Sequence, residues 1–319
     1  MLGTYRSGNT ELCIIWKVGT TFVKRLFMMK ELPKYKNVVN PYEIRFDADL
    51  QGSRSTNRGM SLHKLMFVRD PYQRLVSGYV DKLLAPNPVY WKILSIRAIR
   101  LVREKPTAKS LQCGHDLEFH EYIKYVIKSL DNHRGAKADG HFNIQTEICG
   151  PCRNKYEFVG KMEQFGVDSW ELIKRLNFSN ETVESLRENG SRLASDDAIR
   201  DSCNQPFDPN FVKLYKRCIS FYEALQRAWF KMQTRGLIGP EELPVTEKEA
   251  QTLTLDKFVQ LAMASRDSCP SGVRKKQQHD HFLKFFSSVS KSDLEKIRNI
   301  YAEDFKLYEY NDRPPELFN

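Results

Sequence analysis

Two stretches of this chain share one pattern: an apolar run, a short polar turn, then a segment of helical periodicity. The first, CIIWKVGTTFVKRLF, starts at Cys13; the second, LHKLMFVRDPYQRLVSGYVDKLL, starts at Leu62. Near-continuous apolar runs of this length, Leu12 to Trp16 and Leu62 to Val68, read as strands buried on both faces. After the first turn Val23, Leu26 and Phe27 recur at helical spacing, with Lys24, Arg25 and Lys30 outside that stripe. In the second stretch Asp70 is a natural N-cap, Pro71 suits the first helical position, and Leu75, Tyr79 and Leu83 form the inward stripe. Tyr156 to Gly160 reads as a third strand, and Glu118 to Leu130, Val167 to Leu176 and Ser290 to Tyr310 as helices. Strands alternating with helices predict an α/β domain around a parallel sheet. The expectation is one domain over 1–319, with the polar stretch 236–256 as a linker or insertion.

A strand, a small-residue turn and a helix in that order form a phosphate-binding arrangement. The N–H groups of Gly19, Thr20 and Thr21 can converge on an anion, and the helix dipole adds to the attraction. Gly19 permits close backbone approach, a Thr hydroxyl adds a donor, and Lys17 brings a full charge to the mouth. The full GxxxxGK[ST] signature of a nucleoside triphosphate loop is missing. Taken alone, an anion cradle and an ordinary turn with a surface lysine fit this stretch equally. The second stretch adds Arg69 at the carboxyl end of a strand, where open α/β sheets bind ligands. Ser77 lies two turns into the following helix, on the face of Arg74. Together a strand-end Arg and a helix Ser can clamp a second phosphate; the competing reading is Arg paired with Asp70 or Asp81.

Charge narrows the partners. Fifty Lys and Arg against forty Asp and Glu leave a formal charge of +10, which favours polyanions. There is neither a basic stripe with interleaved aromatics nor a recognition motif for nucleic acid, so no nucleic-acid partner is expected. No run approaches the ~18 apolar residues of a membrane span, and Met1 is not followed by a secretory signal pattern. A phosphate loop so near residue 1 suggests that the native protein continues upstream. Asn177, Asn180 and Asn189 head three N-glycosylation sequons, as on a surface in a secretory lumen. The CGPC at Cys149 to Cys152 is a thioredoxin-type redox sequence. Its continuation, RNKYEFVG, is strand-like, so a structural disulfide or paired thiols suit it better than redox chemistry. A second CxxC for zinc is missing, and no carboxylate pair is placed for Mg²⁺, so no metal is expected.

It is the combination that is specific. The segments CIIWKVGTTFVKR, KLMFVRDPYQRLVSGYVDKL, DGHFNIQTEICGPCRNKYEFVGKME and IYAEDFKLYEY resemble, in that order, the Golgi carbohydrate sulfotransferases. Within that family the resemblance is to the branch of the chondroitin and dermatan 4-O-sulfotransferases and glucuronic acid 3-O-sulfotransferases. It implies a P-loop-like three-layer α/β domain with a central parallel sheet and helical additions for the acceptor. It also implies a sulfo donor, 3′-phosphoadenosine 5′-phosphosulfate, and an anionic glycan acceptor of the chondroitin or dermatan type. Lys17, Val18, Gly19, Thr20 and Thr21 match the family's 5′-phosphosulfate loop, and Arg69 and Ser77 its 3′-phosphate motif. By the same resemblance the full-length protein is a type II membrane protein with this domain in the Golgi lumen, its anchor upstream.

The family usually carries Pro before the loop lysine, Cys after the Gly and Asn-Trp after the Thr. Trp16, Thr20, Phe22 and Val23 stand there instead, which bears on donor affinity and activity. A non-catalytic glycan-binding relative is the alternative reading.

Sulfo transfer needs a base for the acceptor hydroxyl, and ADGHFNIQ offers His141, with Asp139 two residues earlier to orient the ring. An acceptor-contact or structural role for His141 is the competing reading, and Glu163 is a second candidate base. Lys92, Arg97, Arg100 and Arg103 could line an acceptor groove or form a solvated helix face.

Overall fold

Four short strands make one sheet in the order β1-β2-β3-β4. They are β1 (Thr4–Ser7), β2 (Thr10–Cys13), β3 (His63–Val68) and β4 (Phe158–Lys161). In this computed structural model residues 3–44, 62–131 and 139–318 are described. Strand β1 is an antiparallel edge on β2, whereas β2, β3 and β4 run parallel, with Leu12 opposite Leu65 and Leu65 opposite Phe158. The fold is the expected α/β fold, with a mostly parallel sheet and many helices.

The apolar runs placed the three parallel strands to within a few residues, whereas the antiparallel edge strand β1 was not expected. The first is shorter than expected: β2 ends at Cys13, and Ile14 and Ile15 are buried in the loop beyond it. Strand β3 matches the expected run almost throughout, and β4 begins two residues late and reaches Lys161. Gly160 on β4 lies opposite Phe67, and a Cβ there would sit 2.4 Å from the Phe67 ring. That position therefore has room only for glycine.

The chain divides into two compact units. The first comprises 1–74, 133–194 and 301–312 and holds the sheet. Its core joins Leu12 and Ile15, Val23, Leu26 and Phe27 of helix α1 (Thr20–Glu31), Leu65 and Phe67 of β3, and Leu172 of the Phe165–Arg175 helix. The second comprises 75–132, 195–300 and 313–319 and is helical among its described residues. One of its cores gathers Cys203, Leu225, Trp229, Met232 and Phe258. The polar stretch read as a linker or insertion contributes Ile238 and Ala250 to that core, with Leu237, Leu243 and Leu253 packed against it. A disulfide joins Cys113 to Cys218 within this unit.

The terminal helix expected from Ser290 to Tyr310 is broken. It runs as Lys291–Ile300 and Ala302–Leu307, with Tyr301 between them at φ −96° and ψ 16°. Tertiary hydrogen bonds from Tyr301 and Asp304, described next, decide that break.

Candidate functional site

The loop from Ile14 to Gly19 leaves the carboxyl end of β2 and enters α1. Two residues turn it: Lys17 at φ 74° and Gly19 at φ 76°, both in the left-handed region. For Lys17 that conformation costs energy and is held by the surroundings. Gly19 is the residue before α1 and has no side chain to obstruct the turn. A Cβ at Gly19 would lie 2.6 Å from the Phe165 ring. Thr20 opens α1, and its hydroxyl donates back to the Ile15 carbonyl at 2.6 Å, closing the loop on itself. Val18 is buried, Thr21 is exposed, and the first turn of α1 contains no acidic residue. These are the properties of an anion-accepting helix start.

Arg69 follows β3 directly and lies against this loop, its Nη1 donating to the Lys17 carbonyl at 3.4 Å. Its peptide is fixed by one side chain. Gln145 accepts the Arg69 N–H through Oε1 at 3.0 Å and donates through Nε2 to the Arg69 carbonyl at 2.9 Å. The next residue, Asp70, caps helix α2 (Pro71–Tyr79) as expected, accepting the Gln73 N–H at 2.8 Å. Burial, with a smaller push from Glu163, raises the Asp70 carboxyl to about 6.

Arg74 does not sit on a solvated face with Ser77. It is 1% exposed and donates to three carbonyls: Trp16 at 3.1 Å, Asn143 at 2.7 Å and Gly140 at 2.8 Å. A guanidinium can serve three acceptors at once because its donors point in fixed, divergent directions. Arg74 thereby ties the Lys17 loop to the segment that carries His141. Ser77 is half-buried on the continuation of α2, which belongs to the second unit.

His141 is buried, and Asp139 organises it locally. One carboxylate oxygen, Oδ1, accepts the His141 backbone N–H at 2.8 Å and bonds Nδ1 of the ring at 2.6 Å. The ring also packs on Trp16, with centroids 4.3 Å apart and planes inclined by 49°. Trp16 immediately precedes Lys17, so His141 stands beside the loop. Lys17, Gly19, Thr20, Thr21, Arg69 and His141 are thus collected around the carboxyl ends of β2 and β3.

The terminal IYAEDFKLYEY segment, an undissected motif at the level of sequence, holds this assembly together. The Tyr301 hydroxyl donates to the Phe142 carbonyl. Asp304 is fully buried, and its carboxylate accepts the N–H groups of Gln145 and Thr146 at 2.8 Å each. Burial holds the Asp304 pKa above the usual aspartate value, opposed by those two donors and by the Arg74 charge. Tyr310 donates to Glu163 Oε2 at 2.8 Å, and Glu163 Oε1 accepts the Asp70 N–H at 3.0 Å. Glu163 is therefore engaged on both oxygens.

The CGPC cysteines are not paired with one another. Cys149 is bonded to Cys13 across a separation of 136 residues, while Cys152 is a free, exposed thiol. The disulfide fastens the end of β2 to the Gln145–Cys149 helix, whose first residue positions Arg69. Sequence reasoning did not find Arg74, Gln145, Tyr301, Asp304 or this pairing. The only signal was that each lies within a motif already singled out.

A mostly parallel sheet with a tight loop leading into α1 and an arginine at the end of the next strand defines a class, and the comparisons identify it. The profile of the sulfotransferase family matches residues 11–212, and the chain belongs to that family. Among curated relatives it is similar to carbohydrate sulfotransferase 8 of Homo sapiens, 29% identical over 164 residues, covering 49% of this chain and 38% of the relative. Carbohydrate sulfotransferase 11 of Rattus norvegicus is 31% identical over 174 residues, 51% of this chain and 49% of that protein. Carbohydrate sulfotransferase 9 of Homo sapiens is 37% identical over 118 residues, 37% of this chain and 26% of that one. The matched stretches span less than half the length of these relatives. No solved structure matches the chain.

Proposed function

We propose that this protein transfers a sulfo group from 3′-phosphoadenosine 5′-phosphosulfate to a hydroxyl of a glycan, of the chondroitin or dermatan type. The observation that carries this reading is the gathering of three groups in one unit: the Lys17–Thr21 loop, Arg69 and the Asp139–His141 pair. The loop suits a phosphate, with a cation, a glycine too crowded for any side chain, and a helix start free of acidic residues.

The donor supplies an activated sulfo group on its 5′-phosphate. Lys17 and the N–H groups of Gly19, Thr20 and Thr21 hold that end, and Arg69 takes the 3′-phosphate. His141 receives the acceptor proton. Asp139 binds Nδ1 and so fixes the orientation of the ring that takes the proton. The acceptor oxygen forms the new bond to sulfur as the bridging oxygen–sulfur bond breaks, and the departing electron pair stays on the phosphate oxygen beside Lys17. Charge developing there is what a fixed cation and helix N–H groups stabilise.

Two long-range disulfides support an oxidising compartment. With the family, they favour the Golgi lumen. No helix among the described residues is long and apolar enough to cross a membrane; the type II anchor belongs to the proposal, upstream of this chain.

The test is thermal unfolding with adenosine 3′,5′-bisphosphate, with AMP as control and Arg69→Ala alongside. Ligand at ~100 times its Kd stabilises by about 2.7 kcal/mol. A rise with the bisphosphate alone, lost in Arg69→Ala, is expected; no rise with either nucleotide sinks the donor assignment. Turnover of donor with a chondroitin acceptor then separates an enzyme from a non-catalytic glycan binder.

A further inference from the structure

The first unit carries an open pocket of about 460 Å³ that no residue of the Lys17–Thr21 loop lines. Phe158 of β4 and Val167, Trp170 and Lys174 of the Phe165–Arg175 helix line it, with Arg187 from the Asn180–Asn204 helix. Its floor is apolar and uncovered: Val167 is 73% exposed, a large value for a valine on a packed helix. Arg187 stands over the Trp170 ring at 5.8 Å.

The charges at the rim are unequal in what they have left to offer. Asp168 accepts the Lys161 N–H at 2.6 Å, and Glu171 pairs with Arg175 at 2.8 Å. Both acids of the pocket are therefore engaged. Lys174 and Arg187 are exposed and make no ion pair among the described residues. An apolar aromatic floor with two uncompensated cations calls for a ligand with one flat C–H face and one anionic group. A sugar ring bearing a carboxylate or sulfate has that chemistry.

We propose that this pocket binds an acidic sugar unit of the glycan acceptor, as a subsite separate from the sulfo-transfer centre. The proposal rests on the glycan reading above. The Phe165–Arg175 helix connects the two places. Phe165 packs against Gly19 at the phosphate loop, and Lys174 follows nine residues later, about 13 Å along a helix axis. A polymeric acceptor can lie along that helix with one unit at the loop and another in the pocket.

Calorimetric titration with a chondroitin sulfate hexasaccharide tests this, the donor site being filled with adenosine 3′,5′-bisphosphate. Binding should weaken about tenfold in Lys174→Ala/Arg187→Ala, two surface changes that leave the fold intact. Neutral maltohexaose should not bind. Unchanged affinity in the double variant overturns the proposal, and so does tripolyphosphate binding as well as the hexasaccharide, which would make the site a mere charge patch. The readout needs no turnover. An enzyme that transfers nothing but binds the hexasaccharide through these residues would refute the sulfo-transfer reading and leave the subsite standing.

Discussion

Gln145 holds Arg69 by both of its backbone polar groups, accepting the N–H and donating to the carbonyl, while its own N–H is taken by the buried Asp304. An amide side chain is the one kind that can mirror a peptide in this way, offering one acceptor and one donor on the same plane. The strand-end arginine is thus placed by a residue 76 positions away, itself placed by one still farther along the chain.

Gln145→Ala is expected to lose about 2–4 kcal/mol, because it leaves a peptide N–H and a carbonyl without partners in a half-buried site. Chemical denaturation measures the loss. Affinity for adenosine 3′,5′-bisphosphate should fall in the same variant, since Arg69 would no longer be aimed. A variant of unchanged affinity would show that Gln145 serves stability alone.

If His141 takes the acceptor proton, His141→Gln should lower kcat by about 10²–10⁴ while the donor KM stays near its original value. Asp139→Asn keeps the ring's neighbour but not its charge. It should lower kcat by on the order of 10², through the wrong ring tautomer. Steady-state kinetics with a fixed acceptor decide this, and a change confined to acceptor KM would reassign His141 to acceptor binding.

The Cys13–Cys149 disulfide closes a separation of 136 residues, a constraint on the unfolded chain worth about 5 kcal/mol by loop-closure entropy. Replacing both cysteines by serine should cost about that much in denaturant. Cys152→Ser should change stability by less than ~0.5 kcal/mol, as expected of an exposed thiol outside the pairing. Equal losses in both variants would mean that Cys152 competes for the bond in solution.

Asp70 gives the stability a pH dependence of known sign. Its carboxyl is pushed from 3.8 up to about 6 in the fold, mainly by burial. A raised acid is bound more tightly to its proton when folded, so this contribution is fully present below about pH 4. It is lost as pH rises through about 6. Asp70→Asn retains an N-cap side chain but cannot ionise. Measured by thermal melts, the variant should gain on the original protein as pH rises across that window. A pH-independent difference would contradict the burial of an ionisable group there.

What could be read along the chain was local. Apolar runs gave the parallel strands, because a strand covered on both faces has no polar side to show. Asp70 was readable as a cap from its place before Pro71, and the Asp139–His141 pair from a spacing of two. Lys17 and Gly19 stood in a turn whose length and small residues restrict the backbone. Each is a relation between residues a few positions apart.

The connections that make those pieces into a site span tens to hundreds of residues. Arg74 had the spacing of a surface residue and is buried on three carbonyls, since nothing local distinguishes a guanidinium facing water from one facing backbone. The CGPC looked like a pair, yet Cys149 is bonded to Cys13, 136 positions away, because the fold brings the Gln145–Cys149 helix to the end of β2. The terminal helix has an unbroken apolar stripe, but Tyr301 and Asp304 form hydrogen bonds to the His141 segment and the helix breaks at Tyr301. Local patterning specified the strands, caps and turns through backbone and solvent preferences of neighbouring residues. Packing specified which carbonyls, amides and thiols meet, because buried polar groups must find partners wherever the fold brings them.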